Sequence, residues 1–207
     1  MKELEPILDF LIFESRGNLI SERDKARMRE TGRPILAGVL QRADAVNGNG
    51  RIYPKRILER EIKNYQTLVK NRRALGELDH PDSGEISLKN ASHIITEIWM
   101  EGNDVYGKAE ILDTSSGKDL KALVEADVKL GISSRGLGST RQEAGKTIVE
   151  DDFQLICFDF VADPSTEGAF MMRESKEATK RLLERAKNEL FDREYRINRI
   201  LNEIISK

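Results

Sequence analysis

The sequence predicts an α+β fold: a small, mostly antiparallel, barrel-like sheet wrapped by helices, with an N-terminal helical segment and a C-terminal heptad-bearing helix. Three observations predict it. Between residues 34 and 173, short apolar or β-branched runs alternate with turn signals, while only two stretches carry helical periodicity. Many short strands with few helices make a closed or partly closed sheet with helices packed outside. Residues 174–207 contain neither Pro nor Gly, and Leu183, Leu190, Ile197 and Ile204 recur at seven-residue spacing with charges between them, which is a heptad seam. Residues 1–33 are charged, but Leu4, Ile7, Leu8, Leu11 and Ile12 lie at helical spacing, so an amphipathic helix opens the chain.

Taken in order, three regions follow: an N-terminal segment 1–33, a body 34–173 and a helical tail 174–207. After Gly17 the first region turns polar, and Thr31-Gly32-Arg33-Pro34 reads as a linker into the body. A strand-like run over 35–46 precedes the turn Asn47-Gly48-Asn49-Gly50. Pro54 opens a helix through Lys70, with Ile57, Leu58, Ile62, Tyr65 and Leu68 as its buried stripe. Residues 93–100 and 104–112 form a hairpin across Glu101-Gly102-Asn103. Residues 116–126 read as a helix with Leu120, Leu123 and Val124 on one face, and 128–134, 147–149 and 153–162 as further strands. The tail either docks on the body or pairs with another chain.

Charge and composition exclude several classes. Lys and Arg number 34 against 36 Asp and Glu, for a net charge of −2, so no broad basic field exists and nucleic acid is not the expected partner. No apolar stretch approaches the ~20 residues that span a bilayer, and the start Met1-Lys2-Glu3-Leu4-Glu5 is too acidic for a secretory signal. A cytoplasmic protein without a membrane partner is expected. The lone Cys157, in Leu155-Ile156-Cys157-Phe158, excludes an intrachain disulfide and reads as a small buried hydrophobe.

Chemistry has few places to reside. Of the two histidines, His93 opens an apolar strand and reads as a sheet-edge polar residue, whereas His80 lies among turn formers and acids in Gly76-Glu77-Leu78-Asp79-His80-Pro81-Asp82. Gly131-Ile132-Ser133-Ser134-Arg135-Gly136-Leu137-Gly138 offers hydroxyls between glycines that allow close backbone approach. It has neither the spacing of a G-x-S-x-G elbow nor the Gly-Lys-Ser/Thr ending of a phosphate loop, and alone it reads as a glycine-rich turn. Asp159 stands between Phe158 and Phe160. If buried, its carboxylate needs a partner, and a histidine whose tautomer it fixes is a suitable one; otherwise it points to solvent.

Five runs in order carry a resemblance. They are Asn49-Gly50-Arg51-Ile52-Tyr53-Pro54-Lys55-Arg56-Ile57-Leu58, Gly76-Glu77-Leu78-Asp79-His80-Pro81, Gly102-Asn103-Asp104-Val105-Tyr106-Gly107, Gly131 to Ser139, and Asp159-Phe160-Val161-Ala162-Asp163-Pro164-Ser165. Over about 37–165 the chain resembles the prohead core proteases of T-even-like tailed phages, a family similar in fold to herpesvirus assembly proteases. The resemblance implies a His–Ser pair mapping onto His80 and Ser133, with Ser134 the lesser serine. The implied third member is an acid, for which Asp159 is the best positional match and Glu77 the alternative. It implies substrates among capsid and scaffold or core proteins, inside an assembling prohead in the host cytoplasm, cut after Glu with a small residue following. A pocket for Glu wants a cation, for which Arg135 is a candidate, and backbone amides near Arg135 and Gly136, or after Pro164, are candidate oxyanion donors. Applied to this chain, that cleavage pattern marks Glu14–Ser15 as a candidate self-cleavage site, within an N-terminal segment 1–33 that is a candidate for removal. No cofactor and no metal are expected. Two other classes compete: a non-catalytic scaffold or core protein of the same fold, with the tail serving self-association, and a metal hydrolase using Glu77, Asp79, His80 and Asp82, a set poor in histidine for catalytic zinc.

Overall fold

A computed structural model describes residues 19–81 and 84–173. The helix expected over Leu4 to Ile12, the Glu14–Ser15 bond, Asp82 and the heptad tail lie outside the described residues.

The elements run α1 (Glu22–Thr31), β1 (Ile35–Arg42), β2 (Arg51–Ile52), α2 (Lys55–Lys70), β3 (Leu75–Glu77), β4 (Ala91–Glu101), β5 (Asp104–Ile111), α3 (Ser115–Glu125), β6 (Leu130–Leu137), β7 (Thr140–Glu143), β8 (Lys146–Val149), β9 (Gln154–Val161) and β10 (Phe170–Arg173). Seven strands form one antiparallel sheet in the order β3-β4-β5-β1-β10-β6-β9. Its two edge strands curl toward each other. Just past β3, Leu78 bridges Phe160 of β9, and the Asp79 N–H donates to the Phe160 carbonyl at 2.8 Å. The sheet is thereby a nearly closed barrel. A small second sheet, β2-β8-β7, includes one parallel pair, β2 with β8.

The core lies inside the barrel and under α2. Leu36, Leu40, Ile57, Leu58, Tyr65, Ile95, Ile132, Phe158 and Phe160 are buried there. Pro54 stands at the N-cap of α2, and Ile57, Leu58, Ile62 and Tyr65 form the expected stripe. Tyr65 packs edge-on against Phe158 at 5.6 Å. On α3, Leu120 and Val124 are buried, but Leu123, expected on the same face, is exposed.

The polar stretch after Gly17 is not only a linker, because it contains α1. Ser21 and Asp24 make a reciprocal capping box, and Gly32 ends the helix in the left-handed conformation at φ 69°. Few apolar side chains seat α1, chiefly Met28 beside Ile20, Ile35 and Ala37. Ion pairs do the rest. Asp24 accepts from the buried Lys108 Nζ at 2.8 Å, and Lys108 also meets Glu97 at 3.0 Å. Fully buried Glu110 receives Arg27, with Arg33 at 3.5 Å and Arg72 at 3.7 Å. Burial alone would lower the Lys108 pKa and raise those of Asp24 and Glu110, but their partners reverse each shift. Asp24 and Lys108 are both buried, and removing one member of such a pair costs about 3–5 kcal/mol. Alternation along β5 would assign Lys108 and Glu110 to solvent; α1 covers them instead. The described part of residues 1–33 is therefore docked on the barrel.

His93 also departs from expectation. It lies on β4, an interior strand, and is fully buried rather than at a sheet edge. Its Nε2 is 3.0 Å from the Phe158 carbonyl, which only accepts, so Nε2 carries the proton and Nδ1 accepts from the Ser92 hydroxyl at 2.9 Å. Burial pushes its pKa down to about 4, against smaller upward pulls from Asp159 and the Phe158 carbonyl.

Candidate active site

The site grows from the alternation of two paired strands. On β6 and β9, Ile132 faces Phe160, Ser133 faces Asp159 and Ser134 faces Phe158. Side chains alternate faces along a strand. Ile132 and Ser134 therefore share the face of Phe158 and Phe160, which are core residues. Ser133 and Arg135 share the other face with Cys157 and Asp159. Directly opposed residues of an antiparallel pair have Cα atoms ~4.5–5.5 Å apart, so Ser133 and Asp159 are close neighbours. Ser133 is buried, at 5% exposure.

The third strand of the site is β3. It lies so tightly on its neighbours that a Cβ at Gly76 would stand 2.0 Å from the Phe158 carbonyl oxygen and 2.4 Å from the His93 ring. Only glycine fits. Beyond Leu78, Asp79 adopts a left-handed φ of 67°, which an Asp tolerates better than most residues. His80 follows, and its Nδ1 is 2.7 Å from Asp159 Oδ2. The imidazole is partly exposed, at 37%, while Asp159 is completely buried.

Asp159 is saturated with donors. Oδ2 takes His80 Nδ1 and Arg135 Nε at 2.9 Å; Oδ1 takes the Glu77 N–H at 2.9 Å, Arg135 Nη2 at 3.2 Å and the Cys157 thiol at 3.3 Å. Burial pushes the Asp159 carboxyl up, but His80, the Glu77 amide and Arg135 more than offset it and hold it below the usual carboxylate range. An ionised Asp159 only accepts, so neutral His80 carries its proton on Nδ1 and offers Nε2 as a base. Burial and the Asp159 charge push the Cys157 thiol up, against a weaker pull from Arg135. Cys157 is a buried thiol, not a thiolate.

Glu77 does not reach His80. Its Oε1 accepts from Arg135 Nη2 at 2.8 Å and from the Ser87 N–H at 3.0 Å. Arg135, in turn, spans Glu77 and Asp159 and donates to the Glu85 carbonyl at 3.2 Å. Its guanidinium is committed to the interior, which leaves the expectation of a substrate-binding cation at Arg135 without support. Gly136 lies in the β6–β9 ladder just after a bulge, where a Cβ would be 2.5 Å from the Phe153 ring. Among the described residues, no three His, Cys, Asp or Glu side chains converge to hold a metal ion, and no helix is long and apolar enough to cross a membrane.

One contact was not anticipated from the sequence. Ser133 Oγ is 3.2 Å from Ser165 Oγ. Ser165 sits in the loop after β9, whose Pro164 ring rests on Gly131; a Cβ there would be 2.5 Å from it. The Gly48 N–H fixes this loop by donating to the Ser165 carbonyl at 2.6 Å. The sequence signal for this contact is slight: Asp163-Pro164-Ser165 belongs to one characteristic run, and Gly48 stands one residue before another.

Comparison with known proteins places the chain in a family. The pattern of the prohead core protein serine protease family matches residues 20–181. A curated relative, the prohead core protein protease of Enterobacteria phage T4, is 41% identical over 141 residues, 66% of either chain. The chain thus spans about two thirds of that relative's length. The solved structure of the bacteriophage T4 capsid assembly protease is similar with a TM-score of 0.61 at 38% identity, over 63% of this chain and 82% of that one.

Proposed function

The chain belongs to the family of prohead core protein serine proteases, and from that premise we propose that it is the serine endopeptidase of a phage prohead, with Ser133 as nucleophile, His80 as general base and Asp159 as the carboxylate that orients His80. The observation that carries this reading is the Ser133–Asp159 register on β6 and β9, combined with the 2.7 Å bond from Asp159 to His80. Nucleophile strand, acid and base meet on one face of the barrel.

The chemistry runs as follows. Ser133 Oγ attacks the scissile carbonyl carbon while its proton passes to His80 Nε2, and the imidazolium is stabilised by Asp159. The tetrahedral intermediate expels the amine, which takes the proton from Nε2. Water then loses a proton to Nε2 and attacks the acyl-enzyme, and Ser133 leaves with that proton. The Ser133 hydroxyl is bonded to Ser165 here, so substrate entry has to turn it toward His80; catalytic hydrogen bonds often form only in the substrate complex. Arg135 is a counter-ion to Asp159 and Glu77 in this reading, and backbone amides after Pro164, beside Ser133, remain the candidate oxyanion donors.

The substrates are capsid and core proteins enclosed in the assembling shell, cut after Glu before a small residue, with Glu14–Ser15 as a site in this chain itself. The test is incubation with capsid-core proteins, comparing wild type with Ser133→Ala. Cleavage by wild type alone is expected. Equal cleavage by both would overturn the assignment, and intact assembly of mature capsids with Ser133→Ala would favour a non-catalytic core protein.

A further inference from the structure

The interior cation of the site is tied to every segment that has to be aligned. Arg135 is two residues from Ser133 on the same strand face. Its Nε and Nη2 clamp Asp159 on β9, its Nη2 holds Glu77 on β3, and its Nη1 reaches the Glu85 carbonyl in the loop after His80. Glu77 extends the tie to the Ser87 amide of that loop. His80 lies between Glu77 and Glu85, so both ends of the segment that carries it are anchored to one guanidinium. A lysine point charge cannot make this fork of parallel and diverging N–H bonds.

We infer that Arg135, with Glu77, is a positioning pair that fixes His80 against Asp159 and Ser133 and sets the charge felt by the imidazole, rather than a group that meets substrate. The inference rests on the serine-protease reading above. Two carboxylates and one guanidinium give the site a net negative charge beside His80. The titratable groups coupled to Asp159 hold their charge across neutral pH. Cys157 on β9 stays a thiol, Tyr65 on α2 is pushed up by burial and stays a phenol, and His93 on β4, pushed down to about 4, stays neutral. Changes of charge at Arg135 or Glu77 therefore act on His80 directly.

The signature is a pair of opposite shifts. Arg135→Gln makes the site more negative, favours the imidazolium, and moves the acid limb of kcat/KM to higher pH. Glu77→Gln does the reverse. Both loosen the His80 segment, so kcat falls, for Arg135→Gln on the order of 10²-fold, the scale of a ~1 Å misplacement, while KM changes little. The double variant returns the acid limb toward wild type but not kcat. The measurement is the pH profile of kcat and KM for the full chain on a peptide with an apolar-x-Glu-small site, or on capsid-core proteins, with near-UV circular dichroism as a fold control. Opposite limb shifts with kcat losses support the inference. A folded Glu77→Gln with wild-type kcat and limb overturns it, and this arm decides even if Arg135→Gln fails to fold. A KM increase at constant kcat for either variant also overturns it, by returning the pair to substrate binding. If Ser133→Ala cleaves as well as wild type, the serine-protease reading fails and the inference falls with it; if Ser133→Ala is dead while both limbs are unmoved, only the inference falls.

Discussion

Ser133 and Asp159 are register partners across β6 and β9, and the same ladder turns Ser134 to the opposite face beside Phe158. Two adjacent serines thus occupy unlike environments, and a one-residue error in assigning the nucleophile exchanges site for core. Ser133→Ala should abolish cleavage with an unchanged fold. Ser134→Ala should leave turnover within about tenfold of wild type and cost at most about 1–3 kcal/mol of stability, since a partly buried hydroxyl is lost. Peptide cleavage assays and denaturant melts of the two variants separate these outcomes; an active Ser133→Ala with a dead Ser134→Ala would reverse the assignment.

The acid can be identified by a similar contrast. Asp159 is bonded to His80, whereas Glu77 is bonded to Arg135 and Ser87. Asp159→Asn presents an amide that favours the wrong imidazole tautomer, and kcat should fall by about 10⁴-fold, as in the serine-protease triad. Glu77→Gln keeps an oxygen for Arg135 and Ser87, so its loss should be far smaller. Steady-state kinetics on both variants decide the matter, and a near-normal Asp159→Asn beside an inactive Glu77→Gln would move the role to Glu77.

Much of this site is legible in the sequence, for physical reasons that also mark the limits. Locally, His80 among turn formers, Ser133 between glycines and Asp159 between phenylalanines each admit an ordinary structural reading, and it is the resemblance carried by the five ordered runs that singles them out. The α2 stripe and the β4–β5 hairpin follow from periodicity and turn chemistry. The α1 helix does not, because its hold on the barrel comes from Asp24–Lys108 and the arginines around Glu110, pairs that are far apart in the chain. The strands β3, β7 and β10 are too short for a period to register. The Arg135–Glu77 bridge spans 58 positions and is invisible until the barrel nearly closes.

A buried neutral histidine should make stability depend on pH. In the unfolded chain His93 titrates near the ordinary histidine value of 6.5, whereas in the fold burial holds its pKa down at about 4. As pH falls below about 6.5, the unfolded chain takes up a proton that the folded one refuses, so stability drops until about pH 4 and then levels. The full effect is on the order of 3–4 kcal/mol, at about 1.4 kcal/mol per unit. Asp24, Glu110 and Asp159, whose folded pKa values are depressed, add losses only as pH falls below the ordinary carboxylate range. Between pH 6.5 and 5 the slope should therefore belong mainly to His93. Urea melts at several pH values should show this slope in wild type and a flatter one in His93→Asn, whose amide oxygen can still accept from Ser92. Equal slopes would remove His93 as the cause.

The last prediction concerns self-processing. Two stretches fit the proposed cleavage pattern of an apolar residue, any residue, glutamate and a small residue: Ile12-Phe13-Glu14-Ser15 and Leu123-Val124-Glu125-Ala126. A protease reads its substrate extended. In the second stretch Glu125 ends α3, and the Ala126 N–H closes the helix by donating to the Ala122 carbonyl. Val124 is buried, so opening this site means unpacking α3 from β4 and β5. The first stretch precedes α1, whose capping box begins at Ser21 and whose ion pairs to Lys108 and Glu110 involve only residues after Glu14. A cut after Glu14 therefore leaves every described anchor of α1 in place. We expect Met1 to Glu14 to be released from concentrated wild-type protein and not from Ser133→Ala, with the Glu125–Ala126 bond resistant until the barrel unfolds. Intact mass over time reads both, and the shortened chain should melt like the full one. An unchanged mass under conditions in which core proteins are cut would exclude processing at Glu14–Ser15, and cleavage at Glu125 in the folded protein would show that α3 opens more readily than its packing implies.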